Sequence, residues 1–99
     1  MSGKVFTADG NVTPTADPGA GQIVHIKSLF GHGIGVTAGD RIVVRESAVD
    51  GAIVAIAVAG AANGDFGQSY AGIGMPAKTP LFYSELKTGG EIFGEVVWE

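Results

Sequence analysis

Any chemistry in this chain has to begin with its two histidines, His25 and His32. They lie seven residues apart, one in an apolar run and one among glycines, with no second histidine pair or carboxylate at ligand spacing. That arrangement suits no tetrahedral zinc site, and the absence of cysteine removes both thiolate ligands and disulfides. The expectation is no metal and no cofactor. His32-Gly33-Ile34-Gly35 has the glycine and histidine content of an oxyanion loop, but no Gly-x-Ser-x-Gly elbow accompanies it. It reads as a flexible loop, and a hydrolase would need a serine or carboxylate brought beside His32 in space. Asp9, Asp40, Asp50 and Asp65 each abut a glycine or a turn, where a carboxylate bonds the local backbone, or holds calcium if two loops converge. No Gly-Lys-Ser/Thr run is present to cradle a phosphate, and Asn11-Val12-Thr13 has no secretory signal beside it to make it a glycosylation site. The reading is no enzyme.

The elements around these residues are short and carry the punctuation of strands. Asp9-Gly10, Asp50-Gly51, Asn63-Gly64 and Gly89-Gly90 are the pairs that tight antiparallel turns favour, and no helical periodicity separates them. The spacing predicts strands over residues 23–30, 41–47, 52–59, 66–73, 81–86 and a last one with Ile92, Gly94, Val96 and Trp98 inward. On that strand Glu91, Glu95 and Glu99 share the outer face with Phe93 and Val97. Ile42 and Val44 are expected inward, with Arg41, Val43 and Arg45 outward. Gly74 to Pro80 is expected to be a crossing loop, because proline removes ladder donors. Such a pattern predicts an all-β domain, an antiparallel β-sandwich of jelly-roll-like order. Residues 22–99 form the sandwich, and residues 1–21 an extended N-terminal arm, with a hairpin about Asp9-Gly10 as an alternative, that adds one or two strands to the six of the core and is otherwise either frayed or ordered by a neighbour.

Ninety-nine residues suffice for one core. Charge is sparse, at 16% of residues against about 25% in ordinary domains, which leaves uncharged surface for a partner. The net charge of -4 with scattered basic residues argues against nucleic acid. The start of the chain lacks a leader's apolar stretch, and the run Ala52 to Ala59 is too short to span a membrane, so a cytosolic origin is expected. That same run is apolar on both faces: Val54, Ile56 and Val58 are expected inward, leaving Ile53, Ala55, Ala57 and Ala59 for a second cover. The cover is either another subunit or a local segment of the same chain. The candidate interface is Ile53, Ala55 and Ala57, with Val5 and Phe6 as anchors in the arm and Arg41 and Arg45 as a rim of ionic contacts.

Assembled in order, these pieces resemble a class of short proteins encoded among bacteriophage structural genes. The resemblance rests on Ile23 to Leu29, Thr37-Ala38-Gly39-Asp40, Ile42-Val43-Val44-Arg45, Ala48-Val49-Asp50-Gly51, Ile53 to Val58, Ala62-Asn63-Gly64, Phe66, Leu81-Phe82-Tyr83 and Val96-Val97-Trp98. It implies a head decoration, or cement, protein. Such a protein is made in the host cytoplasm and carried on the outer capsid surface, where it binds the major capsid protein, often as a homotrimer. It implies no catalytic residues. The rival expectation is a carbohydrate- or receptor-binding β-module of a fibre or adhesin, with Tyr70, Tyr83 or Trp98 meeting the sugar.

Overall fold

A computed structural model describes residues 2–12, 23–47 and 50–99. The described residues contain nine strands and no helix: β1 (Ser2–Phe6), β2 (Gly10–Asn11), β3 (Ile23–Ile34), β4 (Arg41–Glu46), β5 (Ile53–Val58), β6 (Asn63–Ser69), β7 (Met75–Lys78), β8 (Leu81–Leu86) and β9 (Glu91–Trp98). They make two antiparallel sheets packed as a sandwich. One has the order β1-β9-β3-β6, with β7 beside the first half of β3, and the other has the order β2-β8-β4-β5.

The chain changes sheet at six of its eight connections and stays within a sheet only from β4 to β5 and from β6 to β7. The turn dipeptides therefore serve a different purpose from the one their type suggests. Only Asp50-Gly51 lies in a hairpin; Asp9-Gly10 and Gly89-Gly90 are corners between sheets, and Asn63-Gly64 opens β6 instead of ending a strand. At the Gly89-Gly90 corner, Gly90 has φ 72°, and a Cβ there would sit 2.5 Å from the Ile34 carbonyl oxygen. A side chain is excluded on both counts.

The core is assembled by aromatic rings lying over glycines. Gly31 and Gly33, expected in a loop, are inward positions of β3, which runs on through Ile34. The ring of Phe66 lies over them, so a Cβ on Gly31 would come within 2.7 Å of Phe66 Cζ, and one on Gly33 within 2.8 Å of Val36 Cγ2. Across the sandwich, Tyr83 of β8 points at Gly94 of β9, whose Cβ would lie 2.6 Å from Tyr83 Cζ. Tyr83 also stacks on Phe6, with ring centroids 4.3 Å apart and planes inclined by 14°. That contact corrects Phe6 as an anchor for a partner: β1 and β2, the strands the arm adds, are edge strands of the two sheets, and Phe6 anchors them inside the protein's own core. The rest of the proposed arm, from residue 13 on, lies outside the described residues.

Two further differences have local causes. The blurred alternation of β3 comes from a bulge between Ile26 and Ser28, which returns Leu29 to the side of Val24 and Ile26. Pro76 sits in β7, a short edge strand that lies against only β3, where a missing donor is tolerated.

A methyl group on Gly94 leaves Tyr83 no room without displacing β8 or β9. Gly94→Ala should lower unfolding free energy by about 1–3 kcal/mol in chemical denaturation, the range for overpacking a tight core.

Candidate functional site

Among the described residues the clefts are open to solvent, and the geometry with the most exposed apolar and charged side chains is that of the two outer faces. Strand β9 runs centrally in the first sheet and turns Glu91, Phe93, Glu95 and Val97 outward. Ladder pairing puts Ile34 opposite Glu91, His32 opposite Phe93 and Phe30 opposite Glu95. On the far side of β3, Asp65 stands opposite His32, and on the far side of β9, Val5 stands opposite Glu95. The result is a shallow cleft of about 420 Å³ lined by Phe30, Gly31, His32, Asp65, Phe93 and Glu95. Ile34, Phe30 and Phe93 are each 40–47% exposed, high for large apolar side chains in the middle of a sheet.

His32 Nδ1 lies 2.6 Å from Asp65 Oδ1, both in solvent. An ionised carboxylate only accepts, so the hydrogen of this contact sits on Nδ1. The residues opposite or two along from His32 are Phe93, Asp65, Phe30 and Ile34; no hydroxyl stands among them. What this face offers is aromatic surface beside carboxylates, a chemistry of contact and charge. Among the described residues no group of three or more His, Asp or Glu side chains is placed to hold a metal ion.

The second face is built on β4. Arg41, Val43 and Arg45 point out, with Val58, Ile56 and Ile53 opposite them on β5 and Leu86, Ser84 and Phe82 opposite them on β8. Val58, Ile53 and Leu86 are roughly half exposed, whereas Val43 is fully covered. Arg45 Nη1 donates to the Gly51 carbonyl at 3.1 Å and so is tied to the β4–β5 turn. Among the described residues no carboxylate or hydrogen-bond partner meets the Arg41 guanidinium.

These faces sort the candidate interface residues. Val5 belongs to the first face, and Ile53, Arg41 and Arg45 to the second. Ala55 and Ala57 are corrected: at 3% and 4% exposure they face the core, opposite Val44 and Ile42, and Ile56 and Val58 take the other side, while Val54, at the register shift, is partly buried against the core. The reason is volume. Beside the fully buried Ile42 and Val44 the narrow alanines turn in, and Ile56 and Val58 turn out. Phe6 is likewise buried. Of the aromatics considered for sugar, Tyr83 is 1% exposed and unavailable, while Tyr70 and Trp98 are partly buried against the core. Phe30, Val58 and Leu86 were not among the candidates; Phe93 among outward glutamates was the available signal.

One ionisable pair lies inside. The Tyr83 hydroxyl donates to Glu85 Oε2 at 2.9 Å, and the Glu85 amide donates to Asp9 Oδ1 at 2.8 Å, holding the β1–β2 corner to β8. Burial pushes the Glu85 carboxyl above the usual carboxylate range, against the pull of the Tyr83 hydrogen bond and of Lys87. Burial and then the Glu85 hydrogen bond raise the Tyr83 hydroxyl well above an ordinary phenol. At the loop end, Asp40 Oδ2 accepts from the amides of Thr37 at 2.9 Å and Thr88 at 3.3 Å, clamping the β3–β4 loop to the β8–β9 corner.

Comparison with known protein families, characterised proteins and solved structures finds no match to this chain.

Because the folded state holds the Glu85 proton more tightly than the unfolded chain does, ionising Glu85 costs stability at neutral pH. That cost disappears as pH falls through the raised folded value towards the ordinary glutamate value near 4.5. Glu85→Gln keeps an acceptor for Tyr83, so it should be more stable than the native protein at about pH 7. Parallel denaturation series should show the difference closing near about pH 4.

Proposed function

We propose that this protein is a non-enzymatic structural component of a bacteriophage virion: a head decoration protein that sits on the outer capsid surface and bridges major capsid protein subunits. The observation that carries this reading is the uncovered apolar surface on both outer faces of a sandwich whose own core is complete. Phe30, Ile34 and Phe93 on one side and Ile53, Val58 and Leu86 on the other fill no cavity of their own. Such side chains in a small domain mark surfaces that meet other polypeptides. The strand order supports the reading as well. With β7 taken as an excursion from the edge of β3, the order β1-β9-β3-β6 over β2-β8-β4-β5 supports a jelly-roll-like reading of the sandwich. An acidic chain also suits a position outside the shell, away from packaged nucleic acid.

The mechanism is additive burial. A shell under internal pressure fails where subunits separate, and each apolar contact across a joint, at about 25 cal/mol per Å², has to be lost first. Many copies acting on one shell, each held at more than one point, turn a modest interface into a large effect. We propose a homotrimer as the working unit, so that one particle reaches several subunits at once. It would be made in the host cytoplasm and add to the shell there.

A second reading draws on the Phe30–Phe93 cleft, where ring faces beside Asp65 and Glu95 would suit a sugar ring and its hydroxyls, as in a fibre's receptor-binding module.

Purified protein mixed with empty phage shells lacking a decoration protein should co-sediment with them to a saturating ratio and raise their melting temperature. Free protein left wholly in the supernatant overturns the proposal, and specific retention on a glycan array in place of shell binding selects the second reading.

A further inference from the structure

The two outer faces differ in one respect that bears on what covers them. On the first, Glu91 and Glu95 carry carboxylates that meet no cation among the described residues, and Asp65 is already occupied by His32. On the second, Arg41 carries a guanidinium with no partner among the described residues. Each charge is set in apolar surface: Glu91 stands opposite Ile34, Glu95 stands between Phe30 and Val5, and Arg41 stands between Val58 and Leu86. Glu91 and Glu95 lack a cation, Lys78 of the same sheet lying at its other end beside Ile23, and Arg41 lacks an anion; both faces leave large apolar side chains in water.

We infer that the occupant of each face is the other face of a second copy of this chain, with Arg41 of one copy set against Glu91 of the next. The contact is heterologous, since the surfaces it joins are different patches of the same molecule. Repetition therefore gives a ring if the rotation closes and an open chain if it does not. Placement brings both patches to one end of the molecule. Arg41 begins β4, Val58 and Leu86 end β5 and β8, and Ile34 and Glu91 end β3 and begin β9. All five lie at the end of the sandwich where Asp40 clamps the β3–β4 loop to the β8–β9 corner. Copies joined there meet about a common end, on a loop cluster already fixed before association, so little ordering cost is added. Charge complementarity sets which patch meets which, and the apolar residues around it supply the buried area.

The inference rests on the proposal that the protein works as several copies, and it does not depend on the shell. Light scattering and sedimentation of the intact protein across a concentration series read it directly. The native chain should exceed its 10.0 kDa monomer mass, and added salt should weaken the assembly. Arg41→Glu and Glu91→Arg, both at exposed positions, should each weaken self-association by about tenfold or more while leaving thermal unfolding of the monomer unchanged. Combining the two substitutions in one chain should restore it. A native protein that stays monomeric overturns this inference together with the multi-copy reading. A native oligomer indifferent to Arg41→Glu overturns the inference alone. So does a pattern in which only shell binding responds to the two substitutions, since the faces then belong to the shell.

Discussion

The sandwich closes on one steric condition: three inward strand positions must carry no side chain. Gly94 gives Tyr83 its place between the sheets, and Gly31 and Gly33 leave the interior of β3 open to Phe66 and Val36. Glycine inside a strand costs backbone entropy and contributes no packing of its own. The rings that fill the space return that cost by touching both sheets. Tyr83 bears on β9 while stacking on Phe6 of β1, and that contact brings the first two strands into the core.

From this follows the distribution of size between inside and outside. Along β5 and just past its end the inward residues are Ala55, Ala57 and Ala59, and Ile56 and Val58 stand on the outer face. On β9 the same logic puts glycine in and phenylalanine out at neighbouring positions, Gly94 and Phe93. A core made of a few rings over small residues thus leaves large apolar side chains to spare, and the outer faces carry them. The candidate surface is a consequence of how the interior is packed.

That same packing explains what was legible in the chain. The span of β8 and the alternation of β9 were readable, because the alternation of each is unbroken and each pairs on both sides. In β3 and β5 the pattern misled for identifiable reasons. A bulge shifted the phase after Ile26, the glycines of Gly31 to Gly35 read as loop while two of them were holding ring space, and the rule that larger apolar residues face inward failed beside the buried Ile42 and Val44. The turn dipeptides marked where the chain bends but not whether it stays in one sheet, since a positive-φ glycine serves a hairpin and a sheet-to-sheet corner equally. For the candidate surface, outward Glu91, Phe93 and Glu95 were visible in the alternation of β9. Their neighbours Phe30 and Ile34 came only with the pairing of β3.

Sparse charge gives the few unpaired ions unusual weight. In a domain with charges of both signs spread over every face, a single unpaired arginine carries no directional information, because nearby opposite charges and salt blur it. Here Lys27 is matched by Glu99, Lys87 reaches Glu85, His32 is held by Asp65, and Arg45 and Lys4 are tied to backbone carbonyls. Much of the ionic inventory is thereby spent within the fold, and around the shared end of the sandwich the charges left are Arg41 on one face and Glu91 and Glu95 on the other, of opposite sign on opposite sides. With the apolar surface around them contributing area but little orientation, these residual charges are the features able to fix how such a face meets its partner.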